Sequence, residues 1–78
     1  MTNIDREQLR RDLSDALERQ LKEQRLDGLT PLADTVRTLS PTYRMHGEQM
    51  EAAAWAREEN TVTWHLIHTL EKLEKGLP

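Results

Sequence analysis

The sequence contains no cysteine and no phenylalanine, and its aromatic side chains are limited to two tryptophans and one tyrosine. Without cysteine the chain can form neither a disulfide nor a thiolate metal site, which excludes the disulfide-stapled scaffolds typical of small secreted proteins. A single domain near 78 residues buries only about 60% of its unfolded surface. We therefore expect one helical domain over residues 1–78, with a small hydrophobic core and no room for a multidomain enzyme.

The sequence also lacks a strong excess of either charge, since it has 11 Lys and Arg residues and 14 Asp and Glu residues, for a net charge of −3. Because binding to a phosphate backbone needs clustered cations, this balance disfavours a nucleic-acid partner without excluding one. No apolar run approaches the roughly 20 residues that span a bilayer, and the first residues lack a signal-peptide core. We expect no membrane partner and a cytoplasmic location.

Glycine and proline are few, with three of each, and most of them stand where helices would begin or end. Ser or Thr followed by Pro is typical of an N-cap and first helical residue, so Thr30-Pro31 and Ser40-Pro41 predict two helix starts. Thr2 with Asp5 resembles a capping pair at a third start. Gly76-Leu77 is typical of a glycine stop with a hydrophobic contact.

These signals predict an all-α fold, a helical hairpin of two long helices over residues 3–27 and 41–75 with a short connector helix over 31–39. The apolar residues of the last helix change sides midway, with Val62 and Leu66 nearly opposite Tyr43. The segment therefore either packs on two sides, which is the prediction, or breaks near the polar Asn60-Thr61, where Thr61 could cap a new helix.

The apolar surface of the last helix is wider than one neighbour can cover. Trp64 and Ile67 lie away from the leucine line, the row formed by Val62, Leu66 and Leu73. Burial against another chain would cover it, so we expect a homodimer packed as a helical bundle; a three-helix monomer with Trp64 half exposed is the alternative. That both tryptophans are ordinary core residues is a further alternative; if one lies at an interface, Trp64 is the better candidate, because Trp55 continues the leucine line. The predicted partner or dimer interface comprises Trp64, Ile67, His68, Met50, Tyr43, Leu13 and Leu17.

Side chains suited to chemistry are sparse. His65, His68 and Glu71 have the spacing of helical metal ligands, but this spacing is common and Lys72 would oppose a bound metal, so no metal or other cofactor is predicted. A pH-sensitive interface through His65 and His68 beside Trp64 is a further hypothesis. No nucleophile stands beside a base and no Gly-rich phosphate loop occurs, so we predict that the protein is not an enzyme.

The sequence thus favours a non-enzymatic module that binds another protein, whose identity the residues do not indicate, as an adaptor, inhibitor or regulator. Small acidic helical proteins of this kind are often carried by phages and mobile elements, which would place this one in a host cytoplasm. The alternative is a helix-turn-helix transcriptional regulator that uses residues 31–49 on DNA. Its predicted DNA-contacting residues are Arg37, Thr42, Arg44 and Gln49.

Overall fold

The computed structural model describes residues 5–26 and 28–76, and over these residues the chain forms α-helices joined by short turns, without a strand. The all-α prediction is therefore confirmed. The helices are α1 (Arg6–Glu23), α2 (Leu29–Leu39), α3 (Pro41–Trp55) and α4 (Glu59–Glu74).

The first helix begins at an aspartate cap and ends in a left-handed turn. Asp5 Oδ1 accepts hydrogen bonds from the backbone N–H of Glu7 at 3.0 Å and of Gln8 at 3.2 Å, which satisfies two donors of the first turn. Gln24 closes the helix with φ 55°. The helix is thus shorter than the predicted 3–27, and Thr2, the predicted capping partner, lies outside the described residues together with residues 3, 4 and 27.

The second helix begins earlier than Thr30-Pro31 predicts. Gly28, with φ 82°, occupies the cap position and Leu29 is the first helical residue, so Thr30 is not the N-cap. Pro31 still lies in the first turn, where a missing N–H costs no intrahelical hydrogen bond.

The predicted start at Ser40-Pro41 is confirmed, with extended backbone at Ser40 and Pro41 as the first residue of α3. Ser40 contributes its backbone carbonyl, which accepts from the N–H of Tyr43 and of Arg44. At the other end, Gly76 has φ 71° and its N–H donates to the carbonyl of Leu73. This matches the predicted glycine stop, although Leu77 lies outside the described residues.

The predicted long helix over 41–75 is wrong, because the chain breaks at residues 56–58 and reverses direction. Arg57 adopts φ 57°, and the N–H of Glu58 donates to the carbonyl of Ala53 at 2.9 Å. The break allows Val62 and Leu66 to enter the same core as α3, so the two opposed apolar faces belong to two helices. Thr61, which the sequence suggests as the cap of a new helix, lies inside α4.

The break also explains why Trp55 is not a core residue. Its position continues the leucine line of α4 only if the helix runs on without interruption. As the last residue of α3, Trp55 keeps 75% of its surface exposed.

The four helices form a ring in chain order. The backbone of α1 runs beside α2 and α4 and does not closely approach that of α3, and the most closely packed pair is α2 with α3. Gly47 marks that close approach, since a Cβ built there would lie 2.6 Å from the carbonyl oxygen of Ala33 and 2.7 Å from the backbone N of Arg37. The buried hydrophobic residues are Leu9, Leu13, Ala16, Leu26, Leu29, Ala33, Val36, Tyr43, Met50, Ala53, Val62 and Leu66.

Within the described residues, none of the helices combines the length and the apolar character that crossing a membrane would require.

Candidate interaction surface

Helix α4 carries an exposed apolar face in the longest part of the chain without a formal charge. Residues 60–70 include no Asp, Glu, Lys or Arg, although 32% of the sequence is charged. Trp64 is 49% exposed and Ile67 is 39% exposed, and a spacing of three residues places them on neighbouring positions of one helix face. Depletion of charge together with an exposed aromatic side chain is typical of the centre of a protein interface.

Three histidine rings surround the Trp64 indole on its protein side. The ring centroids of Trp64 and His68 lie 4.0 Å apart, those of Trp64 and His65 lie 4.9 Å apart, and His46 of α3 lies at 6.3 Å. Contacts between rings favour particular relative orientations. An interface residue that is ordered before binding loses less conformational entropy when a partner arrives.

A chain of hydrogen bonds joins α3 to α4 beneath the indole. Lys72 Nζ lies 2.7 Å from His46 Nε2, and His46 Nδ1 lies 3.4 Å from His65 Nδ1. Because an ammonium group only donates, His46 Nε2 must accept, and a neutral ring then carries its proton on Nδ1. The N–H at His46 Nδ1 donates to His65 Nδ1, so the ring proton of His65 lies on Nε2.

The surroundings of both rings favour their neutral forms. Burial lowers the pKa of His46, and the positive charge of Lys72 and the neighbouring His65 and His68 lower it further. Burial also lowers the pKa of His65, with His68 adding to the effect. Near neutral pH the chain of hydrogen bonds is therefore intact.

The metal-ligand spacing of His65 and His68 does not correspond to a shared site. His65 is only 4% exposed and turns toward His46, whereas His68 Nδ1 lies 3.5 Å from the carboxylate of Glu71. In residues 5–26 and 28–76, no three His, Asp or Glu side chains are grouped closely enough to hold a metal ion.

Three residues predicted for the interface lie instead in the chain's own core. Leu13, Tyr43 and Met50 have no exposed surface, because the reversal at residues 56–58 lets α3 and α4 face the same interior. Leu17 is half-buried and packs against that core. Trp64 and Ile67, with the half-buried His68, are the predicted interface residues that the α4 face brings together.

The residues suggested for DNA contact lie at and after the α2–α3 corner. Thr42, Arg44 and Gln49 are exposed on α3, and Arg44 Nε lies 3.7 Å from Glu48. Arg37 of α2 is half-buried and pairs with Asp34. Both arginines thus have a carboxylate neighbour, which weakens the positive potential of the corner.

Two residues of this site have no local signal in the sequence. His46 and Lys72 are separated by 26 positions, and only the reversal of the chain brings them together. A sequence pattern confined to one helix instead placed Lys72 beside His68.

Comparisons of this chain with protein families, with curated proteins and with solved structures find no match.

Proposed function

We propose that the protein is a non-enzymatic interaction module that pairs with a second copy through α4 and acts as an adaptor, inhibitor or regulator of another protein. The observation that carries the proposal is the exposed pair Trp64 and Ile67 within an uncharged segment. Tryptophan contributes large binding energies when a partner buries its indole. The proposed location of such a module is the cytoplasm.

A second copy fits this face because the face carries little charge. Each chain has a net charge of −3, so most pairs of surfaces would bring carboxylates together. The α4 faces can meet without that repulsion. In a two-fold arrangement the same patch serves both copies, so Trp64 and Ile67 would each be covered by the other chain.

The solvent exposure of the two tryptophans tests the pairing. In a Trp55→Phe variant the emission comes from Trp64 alone, and we expect acrylamide quenching to fall as protein concentration rises and the indole becomes covered. In the matched Trp64→Phe variant, Trp55 should be quenched equally at all concentrations. Quenching of Trp64 that is also independent of concentration, up to millimolar protein, contradicts the pairing.

A second candidate function is DNA binding by the α2–α3 corner. It is favoured by the single residue, Ser40, that separates the two helices, and by the exposure of Thr42, Arg44 and Gln49. Binding to duplex DNA that weakens steeply with salt and is lost in Arg44→Ala would support it. Absence of binding at low salt, or binding unchanged in Arg44→Ala, would exclude it.

A further inference from the structure

An open groove runs between α1 and α2, which pack against each other less closely than any other neighbouring helices. Its volume is about 1010 Å³, and its apolar lining includes the exposed Pro31 and the half-buried Leu32, whereas Leu9 beneath them is buried in the core. The α1 side of the groove extends from Asp5 to Glu23, which corresponds to about 27 Å at 1.5 Å per helical residue. That length accommodates a helix of about 15–18 residues.

Carboxylates dominate the walls of this groove. Its acidic lining residues are Asp5, Asp12, Asp15, Glu18, Glu23 and Asp34. Among the described lining residues the cations are Arg19 and Lys22. Lys22 Nζ lies 2.8 Å from Glu18, and Glu23 and Asp34 pair with the neighbouring Arg25 and Arg37. The groove therefore has an excess of negative charge beside its apolar surface.

The middle of α1 offers carboxylates that no cation of the described residues neutralises. Asp12 accepts a hydrogen bond from the neutral side chain of Gln8 at 2.9 Å, and no Lys or Arg nitrogen in the described part of the chain lies within 4.0 Å of Asp12 or Asp15. The i,i+4 pairing of Asp15 with Arg19 that the sequence would allow is thus not formed. Both carboxylates are exposed toward an incoming ligand.

We propose that this groove binds a basic amphipathic helix of a partner protein, with the partner's apolar stripe over Pro31 and Leu32 and its Lys or Arg side chains beside Asp12 and Asp15. The inference rests on the proposed function as a protein-binding module and specifies the chemistry of its partner. Helix-in-groove binding uses this combination of an apolar stripe and flanking charges. A second copy is a poorer occupant because its α1 presents the same carboxylates, and nucleic acid would be repelled.

Pairing through α4 leaves the groove open. Since the helices form a ring in which the backbone of α1 approaches those of α2 and α4 but not that of α3, the α1–α2 groove lies across the bundle from the α3–α4 seam that holds Trp64 and His46. One chain can therefore contact a second copy and a basic helix at the same time.

The test uses a synthetic 17-residue amphipathic peptide of leucine and lysine, labelled for fluorescence anisotropy, with a peptide of equal composition and scrambled order as control. We expect the amphipathic peptide to bind more tightly than the scrambled one. The double variant Asp12→Asn/Asp15→Asn should bind it about three- to tenfold more weakly, the range expected for two exposed charges.

The control variant Glu48→Gln/Glu51→Gln removes the same charge from α3, outside the groove, and should bind like the unchanged protein. Equal weakening in both double variants would show attraction to net charge alone and overturn the proposal, as would equal binding of the scrambled peptide or no binding at all. Repeating the titration with Ile67→Glu separates the two proposals, because loss of pairing should leave peptide binding unchanged.

Discussion

The Nδ1 atoms of His46 and His65 lie 3.4 Å apart across the α3–α4 seam. Only one of the two nitrogens can carry a proton in this arrangement, and Lys72 donating to the far side of His46 determines which one. Protonation of His65 leaves two N–H donors facing each other, and protonation of His46 places an imidazolium beside the Lys72 ammonium. Protonation of either histidine therefore weakens the seam that supports Trp64.

Stability should fall as pH decreases below neutrality. The pKa values of His46 and His65 are lowered from 6.5 by burial and by neighbouring charge, so the unfolded chain binds protons more readily than the folded one. The stabilisation is complete above about pH 6.5 and is lost as pH falls from 6.5 through the lower folded values. Urea denaturation measured from pH 7.5 to pH 5 should show a steadily decreasing midpoint.

The double variant His46→Gln/His65→Gln provides the control, because glutamine keeps hydrogen-bonding capacity without titrating near neutrality. Its urea midpoint should depend less on pH over the same range. An unchanged pH dependence in this variant would place the titrating groups elsewhere.

Gly47→Ala should destabilise the protein despite the higher helix propensity of alanine. The new Cβ would lie 2.6 Å from a backbone oxygen of α2, so the two helices must separate. Overpacking costs about 1–3 kcal/mol, against a propensity gain of about 1 kcal/mol. Thermal unfolding should show a lower midpoint, whereas Gln49→Ala on the exposed side of the same helix should leave it nearly unchanged.

Two leucines of α1 differ in burial, and alanine substitutions at both test how this helix packs. Leu13 has no exposed surface, whereas Leu21 is 67% exposed. Leu13→Ala should therefore cost about 2–5 kcal/mol of unfolding free energy, and Leu21→Ala less than about 0.5 kcal/mol. Similar losses for both variants in urea denaturation would contradict the packing of α1.

Asp5→Ala should remove the cap of α1 and cost about 1 kcal/mol. The matched variant Asp15→Ala changes the same residue type within the helix, where it makes no capping bond, and should have a smaller effect. Circular dichroism during urea denaturation measures both. Equal stability of the two variants would contradict a capping role for Asp5.

Local signals in the sequence predicted the helical class and several helix ends. Ser40-Pro41 predicts the start of α3 because cap and first-turn preferences depend on adjacent residues alone. A break was only the alternative prediction, placed at Asn60-Thr61 rather than at residues 56–58. Residues 56–58 contain neither glycine nor proline, and the reversal is stabilised by burying both apolar faces in one core. Tertiary packing of this kind overrides helix propensity.

The candidate surfaces were predicted only in part for the same reason. Trp64 and Ile67 share one helix face, so their exposure could be anticipated from periodicity. The contact of His46 with Lys72 and the groove beside Asp12 each depend on how separate helices pack. The sequence shows the charged residues of α1, but it does not predict that they line a groove, because the groove forms only where α1 packs beside α2.

The molar mass in solution tests the central proposal most directly. Sedimentation equilibrium over a range of concentrations should give twice the chain mass of 9.1 kDa for the unchanged protein and the chain mass for Ile67→Glu. The control Leu21→Glu, which adds the same charge on α1, should remain a dimer. A monomer at every concentration, or a dimer that persists in Ile67→Glu, would contradict pairing through α4.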